Sequence, residues 1–244
     1  LYGMPVEVQE EIDETWVKIL TFYRYEGYTL KSNLHIGSEP TVNWVYEAND
    51  VVIQSFADVL AAPKIQSENI MTLTRGAFIK VVLEAGLDTA WAKVQLVTGE
   101  EGYVRSAWIQ DRAKVYTANE AVFRKQVVET AFRYMGTPYR WGGKTPLGID
   151  CSGLVSMAYM LNGVYIFRDA KIVEGFPLRK IERENLKPGN LIFFPGHVAM
   201  YIGNNEYIHS SLGGNEVNVN SLSLHHENYR EDLATTITEY GSIF

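Results

Sequence analysis

The chain has 244 residues, 46% of them hydrophobic and 21% charged, the composition of an ordinary globular protein long enough for two or three domains. A net charge of −7 with no basic stripe argues against nucleic acid as the main partner, and no apolar run of about 18 residues is present to span a membrane. Cys151 is the only cysteine, which excludes an internal disulfide and fits either a reducing or an oxidising compartment. A sequence starting at Leu1 rather than Met leads to the expectation that a leader or N-terminal segment has been removed.

Residues 1–112 read as short strands and turns without convincing helical periodicity. They contain a repeat. Trp16-Val17-Lys18-Ile19 is followed by Gly27-Tyr28, and Trp91-Ala92-Lys93-Val94 by Gly102-Tyr103, with the same Trp-to-Tyr spacing of 12. Upstream, Gly3-Met4-Pro5-Val6-Glu7-Val8 matches Gly76-Ala77-Phe78-Ile79-Lys80-Val81. Such self-similarity indicates two copies of one small β module, over 1–35 and 36–112. The pattern resembles the bacterial SH3-like barrel. Only two residues precede Gly3, so the first copy is expected to lack its opening strand, unless residues 41–46 fill the gap.

From Asn119 the character changes. Val122, Phe123, Val127, Ala131, Phe132 and Met135 fall at helical spacing, Asn119 or Thr117 is a suitable N-cap, and Gly136 closes the run. A Gly- and Pro-rich loop leads to Gly148-Ile149-Asp150-Cys151-Ser152-Gly153-Leu154-Val155. There Asp150 is an N-cap type, and Leu154, Val155, Ala158, Tyr159 and Leu161 continue a buried helix. Strands are expected at 191–194, 197–202, 206–210, 216–220 and 234–239 after a long connection over 164–188. A helix followed by an antiparallel sheet makes residues 113–244 an α+β domain.

A thiol in the first turn of a helix is favoured as thiolate by the unpaired amides and the macrodipole, so Cys151 is expected to be acidified and nucleophilic. It needs a base and a group to orient that base. His197 and His209 fall in the strand region, whereas His225 and His226 read as loop and His35 belongs to the β modules. For both strand histidines to share a face, the residue numbers of paired positions must add to an even total. An odd-length loop or a bulge around Gly203-Asn204-Asn205 supplies that, a three-residue loop being the simplest. His197, Ala199, Tyr201, Tyr207 and His209 would then line one face. Cys151 with the two histidines also reaches the minimum of three ligands for zinc, but no metal or other cofactor is called for.

The runs around Cys151, Lys187-Pro188-Gly189-Asn190-Leu191-Ile192-Phe193-Phe194, Gly196-His197-Val198-Ala199-Met200-Tyr201-Ile202-Gly203 and Tyr207-Ile208-His209 together resemble the NlpC family of papain-like cell-wall peptidases, over about residues 119–244. The resemblance implies Cys151 as nucleophile, His197 as general base and acid, and His209 as the residue orienting His197, with the Cys151 backbone N–H as oxyanion donor.

Phe167-Arg168-Asp169-Ala170 is similar to a motif of family members that pair two SH3-like modules with the peptidase domain. In those members the bond cut joins γ-D-glutamate to a diamino acid in murein-derived peptides carrying a free N-terminal L-alanine. By that resemblance Asp169 binds the alanine ammonium, together with Asp150 or Ser152 and a tyrosine of the first module, for which Tyr25 is the candidate. Arg168 belongs to the same motif, and Trp141 is a candidate wall of the cleft and equally a structural aromatic. The β modules are then expected to restrict the cleft to short peptides. Rival readings are a non-catalytic cell-wall-binding protein and a thioester acyltransferase or amidase on the same fold. A free-amine requirement points to recycling or scavenging, in the cytoplasm or the cell envelope of a bacterium.

Overall fold

The computed structural model describes residues 1–83, 90–112 and 116–244, and the chain divides into two compact units, Leu1–Lys114 and Val115–Phe244. Among the described residues no helix is long and apolar enough to cross a membrane.

In the first unit the two copies of the repeat fold in the same register. β1 (Val6–Glu11), β2 (Trp16–Thr21) and β3 (Glu26–Leu30) form an antiparallel sheet in which Val8 faces Ile19 and Lys18 faces Tyr28. Before the second copy come α1 (Ser38–Glu47), β4 (Asp50–Val52), β5 (Phe56–Leu60) and β6 (Asn69–Thr74). In that copy β7 (Phe78–Leu83), β8 (Trp91–Gln95) and β9 (Glu101–Arg105) put Val81 opposite Val94 and Lys93 opposite Tyr103. The irregularities also recur. A bulge follows Val8 in one copy and Val81 in the other, and a 3-10 turn ends each copy, Lys31–Asn33 and Ser106–Trp108. Lys18 pairs with Glu26, and Lys93 with Glu101.

The second copy belongs to a seven-stranded sheet of order β10-β4-β7-β8-β9-β5-β6, where β10 is Ile109–Asp111. It closes on a core of Val52, Ala57, Val59, Leu73, Ile79, Val94, Leu96 and Val104. The first copy buries little, and Val17 is the one hydrophobic residue of β1–β3 that is fully buried. It is instead tied to the second copy at its start: Phe78 N–H donates to the Tyr2 carbonyl and Val97 N–H to the Tyr2 hydroxyl. Gly3 sits at φ +70° with the Phe78 carbonyl 2.3 Å from where a Cβ would stand, so only glycine allows this approach.

Residues 41–46 do not replace a missing strand. They lie inside α1, against the expectation of an all-strand N-terminal region. The helix is short and its outer face apolar, with Val42, Val45 and Tyr46 exposed, so the helical period is blurred. What holds it is tertiary: Trp44 and Ala48 are buried one turn apart, and the Trp44 indole donates to the Gly3 carbonyl at 2.8 Å.

The second unit opens with α2 (Glu120–Phe132), whose N-cap Asn119 accepts from Val122 N–H. Its buried face is Phe123, Val127, Thr130 and Ala131, whereas Val122, Phe132 and Met135, expected on that face, are exposed. The hairpin of β11 (Lys144–Thr145) and β12 (Gly148–Ile149) leads directly into α3 (Cys151–Met160), buried at every position. Strands β13 (Arg179–Ile181), β14 (Leu191–Phe194), β15 (His197–Gly203), β16 (Glu206–Ser211), β17 (Glu216–Ser221) and β18 (Glu239–Ser242) form one antiparallel sheet, order β13-β18-β14-β15-β16-β17. α3 packs on β15 and β16 on one side and on α2 on the other, the α+β arrangement expected.

Two elements depart from expectation. β13 lies unannounced within the 164–188 connection as an edge strand, paired only to β18. The last strand begins at Glu239 rather than 234 because α4 (Glu231–Ala234) precedes it. Thr235 and Thr236 hydroxyls donate back to the Glu231 and Asp232 carbonyls, so these β-branched residues close a helical turn instead of extending.

Candidate active site

Asp150 begins the site. As N-cap of α3 its Oδ1 accepts from Gly153 N–H at 2.6 Å, which places Cys151, a residue 6% exposed, at the first helical position. The first turn is pressed against the preceding loop: a Cβ on Gly153 would stand 2.2 Å from the Gly143 carbonyl oxygen. Asp150 does more than cap. Arg168 grips both carboxylate oxygens, Nη1 on Oδ1 and Nη2 on Oδ2, each at 3.0 Å. Arg168 also donates to Ser152 Oγ at 2.5 Å and to the Gly143 carbonyl at 3.3 Å, and Gly142 N–H reaches Asp150 Oδ2 at 2.7 Å. All three polar side chains are buried. This is a bidentate, fully hydrogen-bonded ion pair of the kind that can exist away from water.

The sheet supplies the histidines. In β15 and β16 Tyr201 faces Tyr207 and Met200 faces Ile208, so the pairing total is even and His197 and His209 share a face. The parity comes from a bulge at Ile202 followed by a two-residue turn, Asn204-Asn205, both at positive φ, and not from a three-residue loop. Ala199 and Tyr207 lie on that face in a core with Ile192 and Phe194, Tyr201 packing against it. His197 Nε2 and His209 Nδ1 are 2.8 Å apart, and the rings meet edge to face. His209 is fully buried, its ring also edge-on to Tyr207, and its Nε2 lies 2.8 Å from Asn220 Oδ1 on β17.

Cys151 meets this sheet through its backbone. The backbone N–H groups of Val198, next to His197, and of Ser152 act on the thiol in favour of the thiolate. The expected acidification is not found: burial pushes the thiol up, Asp150 adds to that, and the two amides and Arg168 only partly oppose it. His197 is pushed down to about 3, first by burial, then by His209 and Arg230, and His209 to about 4, chiefly by burial. The resting pair is therefore a neutral thiol and a neutral imidazole near pH 7. A helix terminus favours a thiolate, but this thiol is too well covered for that to prevail.

Of the other expected residues, Asp150, Ser152 and Arg168 are brought together beside Cys151, in contact with one another. Asp169 follows Arg168 and is exposed, at the edge of an apolar pocket that Val155, Phe167, Phe176 and Val198 also line. Trp141 is 84% exposed on the turn between Arg140 and Gly143. Tyr25 is half-buried at the turn joining β2 and β3 in the first unit, its N–H held by Thr21 Oγ1.

Two residues were missed. Tyr139 runs beside β12, its neighbour Arg140 donating to the Ile149 carbonyl, and its hydroxyl lies in the field of Cys151 and Asp150, both of which, after burial, push it up. Burial and then Arg168 pull Lys144 down to about 7 against Asp150. The signal available was position alone: both flank the Cys151 hairpin. Among the described residues no three His, Cys, Asp or Glu side chains gather as a metal-binding group.

Comparison with known proteins identifies the family and the fold. The NlpC/P60 family matches residues 136–236, and the bacterial SH3 domain matches residues 55–110. The chain is 54% identical over 245 residues to Dipeptidyl-peptidase 6 of Lysinibacillus sphaericus, covering all of this chain and 90% of that protein. It is 26% identical over 243 residues to the Gamma-D-glutamyl-L-lysine dipeptidyl-peptidase of Bacillus subtilis, covering 91% and 75%. The crystal structure of an NlpC/P60 family protein from Bacillus cereus superposes with a TM-score of 0.80 at 24% identity, over 98% of this chain and 79% of that one, which speaks for the fold. The chain belongs to the NlpC/P60 family of cysteine peptidases. It is a hydrolase of the bacterial cell-wall class with an SH3-like β-rich N-terminal region.

Proposed function

We propose that the protein cuts murein-derived peptides between γ-D-glutamate and the diamino acid, on peptides whose N-terminal L-alanine is free. The observation that carries this is full-length likeness: 54% identity to a protein named Dipeptidyl-peptidase 6 extends through the β modules as well as the peptidase domain. A second relative over most of the chain is named for the γ-D-glutamyl-L-lysine linkage.

In this reading His197 takes the thiol proton as Sγ attacks the γ-carbonyl carbon of D-glutamate. The Cys151 backbone N–H faces the developing oxyanion, and the Tyr139 hydroxyl, in the field of the thiol, is a second donor. His197 then returns the proton to the departing amine, and water, deprotonated by the same imidazole, releases the acyl group and restores the thiol. Arg168 engages both Asp150 and Ser152, and the alanine ammonium is assigned to the Asp169 carboxylate of the same motif. An anionic partner rewards a free amine and rejects an acylated one. Trp141, exposed on its turn, is the candidate wall of the cleft. A peptide with a free amine has already left its sugar, which fits recycling or scavenging.

Separation of the products from L-Ala-γ-D-Glu-diaminopimelate and from its lysine counterpart tests this. L-Ala-D-Glu and free diamino acid are expected. Release of alanine alone, or no cutting of either peptide, would overturn the assignment.

A further inference from the structure

We propose that Asn220 is a positioning residue for the base: it sets the tautomers of His209 and His197 and so leaves Nδ1 of His197 unprotonated to receive the thiol proton. The proposal rests on the reading of Cys151 and His197 as nucleophile and base, and concerns a residue two strands away from His197.

The argument runs through the ends of one amide. Asn220 Nδ2 is 3.0 Å from the Asn228 backbone carbonyl, an acceptor only, so the amide nitrogen must be the end placed there. Asn228 is itself held, its side chain donating to Glu206 Oε1 and to the Val219 carbonyl, and its carbonyl also receiving Ser221 N–H. The amide therefore cannot turn over without losing a bond, and Oδ1 faces His209 Nε2 at 2.8 Å. An amide oxygen only accepts, so His209 Nε2 carries the hydrogen. A neutral imidazole has one N–H, so His209 Nδ1 presents a lone pair. That lone pair is 2.8 Å from His197 Nε2, which must donate. His197 is then left with a bare Nδ1.

The consequence is chemical. The S–H bond of Cys151 breaks toward the lone pair on His197 Nδ1 while the sulfur electron pair attacks carbon; a His197 with its hydrogen on Nδ1 could not take that proton. As His197 becomes cationic, the lone pair of His209 already points at its Nε2–H. The chain needs both rings neutral at rest, and burial secures this, with Arg230 adding to it. Asp232 opposes it, as do the polar side chains of Asn218 and Asn220 at His209. A role confined to holding β17 would give no preference for one ring nitrogen.

The test uses the full chain labelled with nitrogen-15, with wild type, Asn220→Ala and Asn220→Asp compared. Long-range nitrogen–proton correlation spectra should show His209 protonated at Nε2 and His197 at Nε2 in the wild type. In Asn220→Ala both tautomers of His209 should appear, and alkylation of Cys151 by iodoacetamide at pH 7 and kcat should both fall about 10- to 100-fold, short of the roughly 100- to 10,000-fold that a general base contributes in full, while KM stays within twofold. Asn220→Asp keeps an acceptor at the same place. It should keep the tautomer and move the acid limb of kcat/KM upward by about 1–3 pH units, because a carboxylate favours the charged imidazoles. Protonation of wild-type His209 at Nδ1, or unchanged alkylation and kcat in Asn220→Ala, would overturn the proposal. Spectra and alkylation need no peptide substrate, so they stand even if the assigned bond is wrong. Should the alanine variant not fold, the wild-type spectra and the Asp variant decide.

Discussion

Arg168 forms a two-pronged ion pair with Asp150, the cap of the helix that carries Cys151, at 3.0 Å on each oxygen. Two loops distant in sequence are thereby locked at the nucleophile, and the carboxylate nearest the thiol is neutralised. Arg168→Met leaves Asp150 buried without its countercharge. It should cost about 3–5 kcal/mol of stability, the usual result of breaking one side of a buried pair. Urea unfolding measures it; a loss under about 1 kcal/mol would show that water reaches Asp150 freely.

The same pocket limits Gly153. Its Cβ-less backbone lies against the Gly143 carbonyl, so Gly153→Ala must push the first turn of α3 away from the loop. Helix propensity alone would favour alanine by about 1 kcal/mol. The clash is with backbone and has no flexible end to yield, so a net destabilisation and a fall in kcat are expected. A variant more stable than wild type in thermal unfolding would contradict the geometry.

Much of this was legible beforehand, for physical reasons that differ by element. The Trp-to-Tyr repeat in the β modules became an identical strand register because Lys18–Tyr28 and Lys93–Tyr103 are cross-strand partners. The shared face of His197 and His209 followed from strand parity. Other features were not legible. α1 rests on Trp44 reaching Gly3, a contact between distant residues. α4 depends on two threonines bonding backward. The protonation of Cys151 depends on how deeply the thiol is covered, which a helix cap does not reveal.

That protonation has a kinetic signature. With the thiol pushed up and His197 held down, little thiolate exists near neutrality. Iodoacetamide inactivation should keep accelerating as pH rises through 8 and beyond. A plateau already reached at pH 6 would mean a preformed thiolate–imidazolium pair.

Acid should also weaken the fold. His197 and His209 titrate near 3 and 4 when folded, against about 6.5 when unfolded. Below about 6.5 the unfolded chain takes up protons that the folded one does not, so the stability these neutral rings provide at pH 7 is lost progressively down to their folded values. Each contributes at most about 1.4 kcal/mol per pH unit in that window. Unfolding free energy should fall steeply from pH 6.5 to 4.5, and a His197→Gln, His209→Gln double variant should flatten the slope. An unchanged slope would place the titrating groups elsewhere.

The most direct measurement is mass spectrometry of L-Ala-γ-D-Glu-diaminopimelate incubated with the protein, beside the same peptide acetylated at its amine and beside a Cys151→Ala variant. L-Ala-D-Glu should appear from the free-amine peptide only, and only when Cys151 is present. Equal cutting of both peptides would contradict the recognition assigned to Asp169, and cutting by the alanine variant would contradict the thiol mechanism itself.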